Sequence, residues 1–266
     1  MDQSPAGQQG PELTGNVLFY QQPEPLSPEQ HGALGVRQIQ QPFEFLRRAH
    51  AVPVTVTEFG MAAGAYPIIF VGDDRTPIVA MGVAQGQNLF VTDQGLTDPD
   101  FYVPAFVRRY PFVFASDQNN DRLLLCVDRK APMVSDQPEI PFFDNGQPTQ
   151  FTQDAIEFCS EFERQRRATT EFTDIIKKFD LFEEKSVSFQ PRDAQGNESG
   201  DQQKIADYWA VSEEKLNALS TEDYMELKNN GAVGAIYAHL VSLMNWQRII
   251  QRAIRANAAR QQAGNA

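Results

Sequence analysis

The 266-residue sequence has few of the residues that build metal centres or disulfide frameworks, with only two cysteines and three histidines. Cys126 and Cys159 form neither a CxxC pair nor a zinc-ligand pattern. A single disulfide between them is one alternative. Two reduced, buried thiols fit the pair better, because free cysteine behaves as a small apolar residue in a protein core.

Long apolar segments are also missing. The N-terminal segment Met1–Leu13 is polar and has neither a basic start nor an apolar centre, so it does not resemble a Sec-type signal peptide. No stretch of about 18 uncharged apolar residues occurs, so we expect no transmembrane helix. Both absences predict a cytoplasmic protein.

Positive charge is in deficit. The 23 basic and 35 acidic residues give a formal net charge of −12, and the sequence pI is near 4.7. A nucleic acid would be repelled, and no long basic run offsets this repulsion, so we expect no nucleic-acid partner. The hydrophobic content of 41% is ordinary for a globular protein and excludes a wholly disordered chain.

Composition divides the chain into a central domain and two ends. Residues 1–25 are rich in Gln, Pro, Gly and Glu, which predicts a mobile tail. Residues 253–266 are rich in Ala, Gln and Arg, which predicts a frayed helix end. Between them we expect a single α+β domain over residues 26–252.

Residues 40–145 carry mostly a β-strand pattern. Pro67–Val71 and Pro77–Val83 flank the turn signal Gly72-Asp73-Asp74, which predicts a hairpin. The short spacing of the apolar runs favours an antiparallel sheet. The other expected elements are a helix at 56–65, strands at 88–92, 110–115 and 122–128, and a polar turn at 116–121.

From Thr149 onward the apolar period becomes helical. The repeating positions are Phe151, Ala155, Phe158, Phe162, Phe172, Ile175, Ile176 and Phe179. Residues 190–203 predict a surface loop or hairpin tip, and 204–210 a strand. Ser212 and Ser220 are predicted N-caps of short helices, and Gly231 separates the second from a final helix. We therefore predict an α+β fold, with an antiparallel sheet in the N-terminal half packed against helices of the C-terminal half.

Common catalytic motifs are absent: the sequence has no HExxH, Walker loop, GxGxxG or GxSxG. His50, Glu58 and His239 could supply two histidines and one carboxylate to Fe(II). Nothing in their spacing requires this, and buried, hydrogen-bonded histidines are the simpler interpretation.

A nucleophile paired with His239 is a further alternative. Ser242 follows His239 by three residues, and Cys126 or Cys159 could also serve. A serine inside a helix more often bonds to its own backbone, so a structural role for Ser242 is the simpler interpretation.

The segment around Arg108-Arg109-Tyr110 is the strongest candidate for binding. Paired arginines beside an aromatic residue can grip a carboxylate or phosphate. On an extended chain they would point to opposite faces, so one would need a buried partner such as Glu58 or Asp128. A structural salt bridge is the interpretation that we favour. We assign no catalytic residue, metal ligand or cofactor, and predict a polar cleft or anion site formed by His50, Glu58, Arg108, Arg109, Tyr110, Asp128 and His239.

Several sequence blocks occur together in collinear order. They are His50-Ala-Val-Pro53, Glu58-Phe59, Tyr66-Pro-Ile-Ile-Phe70, Asn88-Leu-Phe90, Tyr102-Val-Pro104, Arg108-Arg-Tyr-Pro-Phe112, Leu125-Cys-Val-Asp128, Gly231, Ile236-Tyr-Ala-His-Leu240 and Ser242-Leu243. In this combination the sequence resembles the SapC family, which is named for a protein linked to bacterial surface arrays (S-layers).

The resemblance implies an accessory or binding role in making or exporting a surface-layer protein. It also implies a gene context of TonB-type receptors, tryptophan-halogenase-like proteins and cupin-like proteins. That context suggests nutrient uptake or peptide modification. The alternative function is an enzyme that modifies a peptide or small molecule, with or without metal assistance, through His50, Glu58, Arg109 and His239. The peptide-transport permease with the same abbreviation is a different protein, since it would need several apolar spans.

Overall fold

The computed structural model describes residues 12–13, 18–117, 122–190 and 200–264. It contains antiparallel sheets and helices, several of them in the C-terminal half, which confirms the α+β prediction. The chain divides into two compact units. The first comprises residues 1–42 and 109–161, and the second comprises residues 43–108 and 162–266.

The elements are numbered in chain order among the described residues. The strands are β1 Glu12–Leu13, β2 Pro23–Pro25, β3 Gly35–Val36, β4 Ala51–Pro53, β5 Ile68–Val71, β6 Thr76–Ala80, β7 Phe112–Asp117, β8 Arg122–Asp128, β9 Val134–Ser135, β10 Ile140–Pro141, β11 Phe143–Asp144, β12 Gln147–Pro148, β13 Phe182–Phe189 and β14 Gln203–Val211. The helices are α1 Pro28–His31, α2 Phe59–Ala62, α3 Ala105–Arg108, α4 Gln150–Lys178, α5 Glu213–Asn217, α6 Thr221–Asn229, α7 Ala232–Ser242 and α8 Asn245–Gly264, with 3₁₀ turns η1 Glu44–Leu46 and η2 Val56–Glu58.

The first unit is built on a sheet of order β1-β7-β8-β2, whose central pair β7 and β8 is antiparallel. Strand alternation places different side chains on its two faces. Cys126 packs with Val113 and Ala115 on one face. Cys159, from α4, packs with Phe112 and its neighbours on the other. Both cysteines are buried, and they are not joined by a disulfide.

The second unit contains a sheet of order β13-β14-β5-β6-β4. Its centre is the predicted hairpin of β5 and β6. Gly72 in the connecting turn has φ +70°, a conformation that glycine adopts without a steric penalty. The predicted strand at 204–210 is also present as β14, and it pairs along its length with β13, which the sequence analysis missed.

The C-terminal half contains the predicted helices. The long stripe beginning at Phe151 forms α4, and each of its predicted apolar positions is at least half-buried. Ser212 and Ser220 cap α5 and α6, because each hydroxyl accepts the backbone N–H three residues later. Gly231 precedes α7 with φ +74°. These local signals were read correctly from the sequence.

Two local expectations are wrong. Residues 88–92 form no strand and contribute only a bridge between Val91 and Thr97. Arg108 ends the short helix α3, so the assumed extended chain through Arg108 and Arg109 does not exist. Pro104 begins this turn by accepting the backbone N–H groups of Val107 and Arg108.

Other expectations concern residues that the structure describes only in part. Residues 1–11 and 14–17 of the predicted tail, 118–121 of the predicted turn and 191–199 of the predicted loop lie outside the described residues. The single domain over residues 26–252 and the frayed end at 253–266 stay predictions.

We predict that two glycine substitutions have opposite effects. A Cβ on Gly82 would lie 1.9 Å from the backbone oxygen of Gln87, so Gly82→Ala must displace a backbone segment. It should lower the free energy of unfolding by about 2 kcal/mol or more. Gly234 in α7 is exposed and has no such neighbour within 4 Å. Gly234→Ala should therefore stabilise by about 0.5–1 kcal/mol through its helix propensity. Urea unfolding of both variants measures the difference, and equal stabilities would contradict the packing at Gly82.

Candidate functional site

Glu58 is a buried carboxylate that organises the start of the second unit. It closes η2 as a capping box, since its Oε2 accepts the backbone N–H of Thr55 at 2.9 Å and the Thr55 hydroxyl at 2.7 Å. Its Oε1 accepts the Tyr102 hydroxyl at 2.7 Å and the Ala105 backbone N–H at 2.6 Å. Glu58 thus fixes η2 to the start of α3.

Arg108 extends this network at the surface. Its Nη2 donates to the Tyr102 hydroxyl at 3.1 Å and its Nε donates to the Val103 carbonyl at 2.9 Å. Burial, reinforced by the hydrogen bond to Glu58, raises the pKa of Tyr102 to about 12. Tyr102 therefore stays protonated at neutral pH and links Glu58 to Arg108.

His239 lies fully buried between two strands of the second unit. Strands β14 and β5 pair at Trp209 and Phe70. Two residues further along this register, Val211 would face Ile68. The imidazole occupies that position, because Val211 N–H donates to Nε2 at 3.0 Å and Nδ1 lies 2.9 Å from the Ile68 carbonyl oxygen.

The hydrogen bonds at His239 define its protonation. Nε2 accepts a backbone N–H, so the neutral ring carries its proton on Nδ1 and donates it to Ile68. Burial, with help from the positive charge of Lys185, lowers the pKa of His239 to about 4, despite the opposing effect of the bond to Ile68. The ring is neutral at physiological pH.

Ser242 completes the attachment of α7 to β5. Its hydroxyl accepts the Ile68 backbone N–H at 2.9 Å and donates to the carbonyl oxygen of His239 at 2.5 Å. Ser242 therefore bonds to the backbone of its own helix, as serine in a helix commonly does. The hydroxyl is directed to the backbone of His239, and the imidazole bonds elsewhere.

Asp128 plays a comparable part in the first unit. Its fully buried carboxylate accepts the backbone N–H groups of Gln21, Gln22 and Lys130 at 2.9–3.2 Å. It also accepts the Tyr110 hydroxyl at 3.2 Å. Asp128 thereby holds the segment that leads into β2 against the end of β8.

Arg109 is buried in this unit, with 3% of its surface exposed. Its guanidinium carbon lies 5.9 Å from the centre of the Tyr20 ring, and the Tyr20 hydroxyl donates to the Phe112 carbonyl oxygen at 2.5 Å. Burial raises the pKa of Tyr20, although the charge of Arg109 acts in the opposite direction. Arg108 and Arg109 thus occupy different environments, one exposed and one buried.

The predicted cleft combines residues of both units, and their grouping stays a prediction. His50 is exposed, while its carbonyl oxygen accepts the backbone N–H groups of Met81 and Gly82. Across the described ranges, no group of three or more His, Cys, Asp or Glu side chains is placed to hold a metal ion. Glu58 and His239 of the iron hypothesis are each bonded to the surrounding chain.

The second unit also contains a polar pocket of about 220 Å³, which was not predicted from the sequence. Arg47 and Arg48, between η1 and β4, contribute two cations. The signal that could have found them is an adjacent arginine pair just before His50, the same pattern that drew attention to Arg108 and Arg109. The pocket is lined by Glu44, Arg47, Arg48, Gly86, Gln87, Asn88, Val91 and Asp93.

Comparison with known proteins identifies the family of this chain. The family model SapC matches residues 26–249. The chain belongs to the SapC family. The matched range includes the predicted site residues and the pocket of this SapC-family protein. Searches of the curated proteins and of the solved structures give no significant match. Within the described residues, no helix of the SapC-family chain is long and apolar enough to cross a membrane.

We predict a pH dependence of stability that originates at His239. An unfolded histidine binds a proton below pH 6.5, whereas folded His239 does so only near pH 4. The stabilising contribution is therefore complete above pH 6.5 and decreases as the pH falls toward 4, by about 3 kcal/mol in total. His239→Gln keeps a donor and an acceptor without this titration. Between pH 7 and pH 4.5 the free energy of unfolding should fall more in the wild type than in His239→Gln, as measured by denaturant unfolding. An equal fall in both proteins would contradict the assignment.

We also predict unequal effects for the adjacent arginines. Arg109→Ala removes a buried guanidinium and should lower the free energy of unfolding by about 3 kcal/mol or more. Arg108→Ala removes hydrogen bonds of an exposed side chain and should lower the free energy of unfolding by about 1 kcal/mol or less. Thermal unfolding gives the comparison, with Arg109→Lys as the charge-preserving control. Equal losses from the two alanine variants would show that burial does not distinguish them.

Proposed function

We propose that this protein is a non-catalytic accessory or binding protein for surface-layer or envelope processes of a bacterium, and that it acts from the cytoplasm. Membership of the SapC family supports the process, through the surface-array role that the family name implies. The use of the polar residues inside the fold supports a role in binding.

The observation that carries the proposal is the structural use of the histidines and buried acids. His239 uses both ring nitrogens on the backbone. Both ring nitrogens of His31 are also occupied, one by the Ser27 backbone N–H and the other by the Glu24 carboxylate. Glu58 and Asp128 accept backbone N–H groups. A general acid or base needs a polar atom within reach of a substrate, and these groups are already bonded inside the protein.

The alternative is an enzyme that modifies a peptide or small molecule with metal assistance. His50 is the histidine whose ring is exposed, so it would have to carry such chemistry. The two functions predict different behaviour for variants that keep the fold but remove acid–base groups.

A complementation experiment tests the proposal. Deleting the gene in its native bacterium should lower the amount of surface-layer or envelope protein, measured in isolated envelopes. The wild type, His50→Ala and His239→Gln should each restore that amount, since the first variant changes an exposed ring and the second keeps the buried bonds. Immunoblots confirm that all three proteins accumulate equally.

The contrary results are distinct. An unchanged envelope after deletion would overturn the proposed process. Failure of His50→Ala to complement, at normal protein level, would favour the enzyme. Stoichiometric iron or zinc in protein purified from the native cells would favour it as well.

A further inference from the structure

The polar pocket of the second unit contains charges of both signs. Arg47 and Arg48 bring two positive charges, and Glu44 and Asp93 bring two negative charges. Val91 is the apolar side chain of its lining. A volume near 220 Å³ is below the size of a typical drug-binding pocket, about 300 Å³ and above, and corresponds to a very small polar ligand.

The two arginines differ in their ion pairs with the acids of the pocket. Its Nη1 lies 3.3 Å from the Glu44 carboxylate and its Nη2 lies 3.2 Å from that of Asp93. Arg47 is therefore engaged with both acids. Arg48 is exposed and makes no hydrogen bond or ion pair with any described residue. Each acid still has acceptor positions, because a carboxylate can accept about four hydrogen bonds.

The frame that carries these charges is fixed by buried bonds. Asn88 Nδ2 donates to the carbonyl oxygens of Leu46 and Ala49 at 3.1 and 2.9 Å, on either side of the two arginines in sequence. Its Oδ1 accepts the Phe90 backbone N–H at 2.8 Å. Gly82 allows the chain to approach Gln87 closely, which shapes the loop on which Gly86 lies. These bonds fix the backbone that carries the pocket residues.

We propose that this pocket binds a free α-amino acid, whose carboxylate pairs with Arg48 and whose ammonium group meets Asp93 and Glu44. A guanidinium binds a carboxylate through two parallel N–H donors, and Arg48 has both available. The net charge of −12 disfavours the approach of a simple anion, whereas a zwitterion carries no net charge. The inference rests on the proposed binding role and gives it a ligand class.

The test uses the purified full-length chain and the twenty L-amino acids, each titrated to about 10 mM by calorimetry. Acetate, phosphate and methylammonium are titrated as partial ligands. At least one amino acid should bind, and each partial ligand should bind at least about tenfold more weakly, since it meets only one of the two charges. Backbone amide NMR signals of Gly86 and Gln87 should shift on binding.

Matched variants locate the site. Arg48→Gln should weaken amino-acid binding at least about tenfold. Arg167→Gln makes the same charge change at an exposed position of α4 outside the pocket and should leave binding unchanged. Asp93→Asn should weaken the amino acid more than it weakens acetate. Circular dichroism confirms that each variant is folded.

Three results would overturn the inference. They are the absence of binding by every amino acid, equal binding of acetate or phosphate, and equal loss of affinity in Arg48→Gln and Arg167→Gln. These measurements are made on the isolated protein. If no amino acid binds, the complementation experiment can still support the proposed function. If complementation fails, amino-acid binding to the isolated protein is unaffected.

Discussion

The imidazole of His239 is the interaction on which the sheet of the second unit depends. Strands β5 and β14 come from distant parts of the chain and pair at Trp209 and Phe70. The next position in their register is filled by the ring, which links Val211 to Ile68. A buried backbone N–H or C=O without a partner costs about 1–3 kcal/mol, so the ring replaces a direct strand-to-strand bond. Ser242, three residues later on α7, bonds to the backbone N–H of Ile68 and attaches the helix at a second point.

The same principle explains Glu58, Asp128 and Asn88. Each of them lies where the chain leaves regular structure, and each bonds to backbone groups that a longer helix or sheet would satisfy internally. The many short strands of this chain create such positions frequently. Polar residues that look like catalytic candidates in the sequence are therefore used as internal supports of the fold.

How far the sequence could predict the structure depends on the range of the interaction. The hairpin at Gly72, the caps at Ser212 and Ser220 and the α4 stripe were predictable, because each is set by residues within a few positions. The Thr55–Glu58 capping box was equally local and could have been read. Strand β13 was not predicted because Phe182–Phe189 is rich in charged and polar residues and lacks a clear apolar alternation, and it is fixed by pairing with β14. Helix α3 depends on the carboxylate of Glu58, which no local pattern reveals.

The candidate site was also hard to predict because its interactions are long-range in sequence. Residue type correctly marked His239, Glu58 and Asp128 as unusual polar residues, but their partners are backbone groups far away in sequence, and a sequence pattern does not record these. The pocket residues were not predicted because the adjacent arginines Arg47 and Arg48 do not by themselves indicate that residues 86–93 lie beside them.

In the pocket, the residue that fixes the backbone is different from the residues that supply the charges. Asn88 holds the backbone at Leu46 and Ala49, so the positions of Arg47 and Arg48 are set by bonds in which their own side chains take no part. A substitution of Arg48 therefore removes a charge from the lining and leaves the Asn88 bonds to the backbone in place. A substitution of Asn88 would remove the side-chain donor of the Ala49 carbonyl oxygen and one of the two donors of the Leu46 carbonyl oxygen, which would loosen the segment that carries both arginines. At this pocket, the buried Asn88 positions the backbone, and the exposed side chains of Arg47, Arg48, Glu44 and Asp93 supply the charges.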